Sequence, residues 1–118
     1  MTTRDAELDR QAFRDAVADW HQLNKVGSTK AADARLDEMK TVVADWAKRG
    51  QLAEFLSPLT VPGEDPYVRL NAASGLLNSE HSEAGAEAMD RLHEDDLGVP
   101  SRTAGLFVSS WRRKQTSA

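Results

Sequence analysis

Apolar residues along this chain return every three or four positions, and no window alternates at every second one. That periodicity belongs to helices with one buried stripe and not to strands. Phe13, Ala16, Val17, Trp20 and then Leu23 or Asn24 predict a first helix from about Arg4 to Val26. "GST" at 27–29 ends it and offers Ser28 or Thr29 as the next N-cap. Ala32, Leu36, Met39, Val43 and Trp46 predict a second helix, closed by Lys48, Arg49 and a C′ glycine at Gly50. The short loop between the two favours an antiparallel hairpin over a coiled coil.

"QLAEFLSPL" predicts a short third helix on Leu52, Phe55, Leu56 and Leu59, and "TVPGED" then breaks the chain. A fourth helix follows from about Pro66, on Val68, Ala72, Ala73, Leu76 and Leu77. A fifth, from roughly Ser82 to His93, uses Gly85, Ala88, Met89 and Leu92. After "DDLGVPS" a sixth, from about Ser101, is expected to bury Ala104, Phe107, Val108 and Trp111 before fraying in "RRKQTSA". Five or six short helices with short turns predict an all-α fold. The tryptophans Trp20, Trp46 and Trp111 fall on apolar stripes, so core packing is their expected role.

The head of the fourth helix is the most explicit punctuation in the chain. Proline is tolerated at the first helical position, where its missing N–H had no partner. Asp65 before Pro66 is then the N-cap, accepting from free amides at the positive end of the helix. Arg69, one turn in, is placed to reach an aspartate or a carbonyl of an adjoining helix, as a structural tie.

Composition narrows the chemistry. A chain of 118 residues, 40% hydrophobic and 29% charged, fits one ordinary globular domain over 1–118. Without cysteine there are no disulfides, thiolate nucleophiles or cysteine-bound zinc. "MTTRDAELDR" does not resemble a secretory signal and no apolar run is long enough to span a membrane, so the cytoplasm is the expected compartment. The three histidines, His21, His81 and His93, have only Glu83 and Asp96 as near candidate co-ligands, and exposed helix ends are their commoner meaning. No phosphate loop, nucleophile elbow or metalloprotease motif occurs, and Ser109 and Ser110 have no histidine near in sequence. The expectation is a protein without catalysis, cofactor or metal.

Net charge is −4, and it is localised: Glu80, Glu83, Glu87, Asp90, Glu94, Asp95 and Asp96 stand against Arg91 alone between 80 and 96. Glu83, Glu87, Asp90 and Glu94 recur at i, i+4, i+7, i+11, which predicts an acidic stripe along the fifth helix. A solvated face is its plainest reading. Yet like charges one turn apart cost a few tenths of a kcal/mol each, and an acidic face speeds capture of a basic partner. These seven residues are the candidate partner-binding set. Nucleic acid is disfavoured, because only Arg112, Arg113 and Lys114 cluster as cations.

The stretch carrying Asp65, Pro66, Val68, Arg69, Ala72, Ala73, Leu76 and Leu77 resembles the second helix of a HEAT-type repeat. More widely, "RLDEMKTVVADWAKRG", "LSPL", "DPYVRLNAASGLL" and "SSWRR" look like a small bacterial family of HEAT-like domains of uncharacterised function. "TVPGED" is longer and more polar than the linker usual there. The resemblance implies an α-α superhelix of stacked hairpins: a leading helix pair over 1–50, HEAT-like helices over 51–114 and a frayed tail at 115–118. It also implies a neighbourhood of toxin–immunity genes. A non-catalytic immunity or antitoxin module binding a basic toxin domain encoded nearby is then the expected function. A HEAT-like adaptor with no toxin, or a nucleic-acid-handling HEAT-like enzyme, is the alternative.

Overall fold

A computed structural model describes residues 5–116. Among them the chain is all-α, with six α-helices and one 3₁₀ turn. Among the described residues no strand forms, apart from an isolated bridge between Pro62 and Glu64. The chain divides into two compact units, one ending at Phe55 and one beginning at Leu56.

The first unit is built on helices α1 (Ala6–Lys25) and α2 (Thr29–Lys48) and the start of α3 (Leu52–Leu56). Asp5 caps α1, accepting from the amides of Glu7 and Leu8; Arg4, where the periodicity begins, lies outside the described residues. Gly27, at φ +80°, makes the tight turn into α2. Phe13, Ala16 and Val17 of α1 are buried with Ala32, Met39 and Trp46 of α2, while Leu36 and Val43 are half-buried. Trp46 is held on three sides. Its ring stacks on Phe55 with centroids 5.0 Å apart, its Nε1 donates to Asp9 Oδ2 at 2.8 Å, and the Arg49 guanidinium lies 5.5 Å from its centre. Arg10 donates to the carbonyls of Phe55 at 2.9 Å and Glu54 at 2.8 Å. Those are the orphan acceptors that a five-residue helix leaves at its end.

In the second unit a 3₁₀ turn over Ser57–Leu59 precedes α4 (Pro66–Leu77), α5 (Ser82–Glu94) and α6 (Val99–Thr116). The third predicted helix is thus shorter than expected, because Pro58 supplies no amide and the chain tightens into the 3₁₀ turn. Asp65 is the cap the sequence predicts, accepting from Tyr67 N at 2.9 Å and Val68 N at 3.4 Å. Ala73, Leu77, Ala88, Met89, Leu92, Ala104 and Val108 form the core, with Trp111 packed against its edge. Gly85 is what lets α5 approach α4. A Cβ there would stand 2.3 Å from the Leu77 amide nitrogen and 2.6 Å from its Cα.

Helix α6 departs from expectation at both ends. It starts two residues before Ser101, with Pro100 accommodated in its first turn, and it continues through Arg112, Arg113 and Lys114 to Thr116. Residues 117 and 118 of the expected tail lie outside the described residues. Phe107 is a correction: predicted as core, it is 43% exposed. It sits at the margin of the buried arc of α6, beside Leu77 and Asn78, where α4 ends and can no longer cover it.

Candidate functional site

The polar chemistry of the second unit gathers at the C-terminal end of α5. Arg69, in the first turn of α4, is 2% exposed, with its Nη2 2.8 Å from Asp95 Oδ2. Asp95 is the C-cap of α5, where the negative end of the helix dipole favours a cation. The contact is close without being aligned: the buried Nε and Nη2 of Arg69 have no hydrogen-bond acceptor. Asp96 follows with φ +51°, the left-handed position that ends a helix. Ser101, 1% exposed, closes the turn by donating to Leu92 O at 2.6 Å and accepting from Leu97 N at 2.7 Å. The periodicity did not single out Ser101, because nothing in its local sequence marks that hydroxyl as the link between two helices.

The seven acidic candidates therefore do not form one uniform face. Asp95 is engaged by Arg69. Asp90 is held by Arg112 of α6 through a two-pronged pair, Nη1 to Oδ1 at 3.0 Å and Nη2 to Oδ2. That hydrogen bond, and then the Asp90 charge, raise the Arg112 guanidinium above its ordinary value. Glu80 lies in the turn before α5, 3.5 Å from the His81 ring, and Asp96 in the turn after it. Glu83, Glu87 and Glu94 remain. All three are exposed on α5, and among the described residues none has an ion-pair partner. Trp46 is buried, and Trp20 and Trp111 are half-buried.

Two grooves flank α6. One, of about 230 Å³, is lined by Leu77, Asn78, Phe107, Trp111 and Lys114. The other, of about 490 Å³, runs between α5 and α6 past Asp90, His93, Arg102, Leu106, Ser109 and Arg112. His93 and Ser109 share that second groove, but His93 Nδ1 lies 3.1 Å from Ser101 O and no hydrogen bond joins it to Ser109 among the described residues. No three His, Asp or Glu side chains among the described residues could together hold a metal ion. No described helix is long and apolar enough to cross a membrane.

The chain matches no known protein family, no curated protein and no solved structure. The HEAT-like resemblance therefore rests on the residues that carry it.

Proposed function

We propose that the chain is a non-catalytic, cytoplasmic protein-binding module that takes a basic protein partner on the outer face of α5. In its specific form it is an immunity protein that neutralises a toxin encoded nearby, on a HEAT-like stack of helix hairpins. The observation that carries the reading is the unanswered charge of Glu83, Glu87 and Glu94. Arg69 and Arg112, on the neighbouring helices, are taken up by Asp95 and Asp90, so these three face solvent with the exposed Arg91 as the cation beside them on α5. Glu83 suits the positive end of the α5 dipole, but Glu87 and Glu94 sit beyond its reach, and the strip accelerates encounter with a basic surface. The toxin itself comes from the family resemblance, and the charge supports only a basic partner.

The test is the affinity for the product of the neighbouring gene, measured for wild type and for Glu83→Lys/Glu87→Lys at low and high salt. Both positions lie off the buried stripe of α5, so the circular dichroism spectrum should not change. Reversal should weaken binding by at least about tenfold at low salt, because like charges then meet across the interface. Equal affinity of the two proteins at both salts would sink the reading.

A further inference from the structure

Helix α6 runs on where α4 stops, and the step between them is the smaller groove, of about 230 Å³. Each side of it is one helical stripe. Phe107, Ser110, Trp111 and Lys114 stand at i, i+3, i+4 and i+7 of α6, and Ser74, Leu77 and Asn78 at i, i+3 and i+4 at the end of α4. Its apolar lining is a half-buried tryptophan, a phenylalanine left 43% exposed and the buried Leu77.

The polar groups beside that lining are mostly donors with nothing to donate to. Asn78 Nδ2 donates to Ser74 Oγ at 3.4 Å, and the Ser74 proton has no acceptor among the described residues. The same holds for the Ser110 hydroxyl, the Trp111 indole and the Lys114 ammonium. Among the residues lining the groove there is no acid. The end of α4 adds partial negative charge, equivalent to about half a unit. Its Ser74 and Leu76 carbonyls already accept from Asn78 and Ser79, so the whole charge of Lys114 sets the sign.

We propose that this groove binds a small aromatic monocarboxylate. The ring lies against Phe107 and Trp111, and the carboxylate accepts from Lys114 and Ser110. A volume of about 230 Å³ is that of roughly seven or eight waters, enough for one ring with a short acid arm. It falls below the ~300–1,000 Å³ of sites for larger ligands. So few atoms hold the dissociation constant to the order of 1 mM. Lys114 is exposed and its pairing is screened by water, so the ring supplies most of the affinity and the lysine the preference for an acid.

Hydrocinnamate is the probe, followed in proton–nitrogen NMR spectra of the full chain. The three tryptophans give three indole N–H signals, and Trp111→Phe identifies one of them by its loss. With the probe raised to about 20 mM in ~50 mM NaCl, the Trp111 signal should move and saturate. The other two signals, from the first unit, should stay. Lys114→Gln should weaken the acid by about threefold to fivefold and leave hydrocinnamamide, its uncharged counterpart, unaltered. Phe107→Ala, at an exposed position, should weaken acid and amide alike. A Trp111 signal that does not move overturns the proposal, and so does an affinity for the acid that Lys114→Gln leaves unchanged. A tripeptide ending in phenylalanine that binds at least about tenfold tighter than the probe would also overturn it, and would give the groove to the C-terminus of another protein. No residue of the groove belongs to α5, so none of these results touches the capture of a basic protein, which the affinity measurement above decides separately.

Discussion

Replacing Asp95 by asparagine gives opposite signs under two accounts of the α5 terminus. An acid at the C-terminal end of a helix opposes the dipole, so on its own its removal should gain a few tenths of a kcal/mol. The structure instead pairs Asp95 with an arginine that is 2% exposed. Breaking a fully buried pair from one side costs about 3–5 kcal/mol, because the remaining charge is stranded. Asp95 keeps 40% of its side-chain surface in water, which screens the pair, so about 2 kcal/mol is the expected loss. For a unit of this size that is a fall of roughly 10 °C in melting temperature. Arg69→Met removes the buried charge together with its unpartnered Nε and Nη2, and leaves an aspartate that water can serve. It should lie within about 1 kcal/mol of wild type, or above it. Urea unfolding of the two variants and their combination closes a double-mutant cycle. An unchanged or raised midpoint for Asp95→Asn would show that the contact carries no energy, and a larger loss for Arg69→Met than for Asp95→Asn would place the worth of Arg69 elsewhere.

Trp46→Ala should cost about 3–5 kcal/mol in the same assay, since it removes a buried ring stacked on Phe55 and its bond to Asp9, and an unaltered midpoint would contradict that packing. Gly85→Ala should destabilise by about 3 kcal/mol, because its methyl meets backbone atoms of Leu77 that cannot swing aside. Asp65→Ala should lose about 1 kcal/mol of cap energy and be partly rescued by Ser or Asn, which a merely electrostatic role would not allow, since neither carries a charge.

Helices were legible in the sequence wherever a local signal carried them. Pro66 and Asp65 announce α4, the glycines Gly27 and Gly50 bound α1 and α2, and α5 was legible from its apolar spacing. The same proline rule applied to Pro100 would have moved the start of α6 to Pro100, one residue from the observed Val99. Phe107 was not legible, since a residue at the edge of a helix's apolar arc is buried only if the neighbouring helix reaches it, and α4 stops at Leu77. The candidate site was half legible. Spacing places Glu83, Glu87, Asp90 and Glu94 on one side of α5, but it cannot show that Arg112, 22 residues on, folds back against Asp90. Ion pairs across helices depend on tertiary register, which no local pattern encodes.

That dependence changes what an acidic segment means. Seven acids crowd 80–96, and by composition they are equivalent. In the fold, two are drawn into ties that hold α5 to its neighbours: Asp95 to Arg69 of α4 and Asp90 to Arg112 of α6. An aspartate suits such ties, since its short side chain keeps the carboxylate near the backbone where a partner is fixed. The three that stay unpaired on α5 are all glutamates, whose longer side chains carry charge out to where a second molecule can meet it. Loss of Asp90 or Asp95 should therefore appear first in unfolding. Loss of Glu87 should leave unfolding unchanged and appear only when another protein is present.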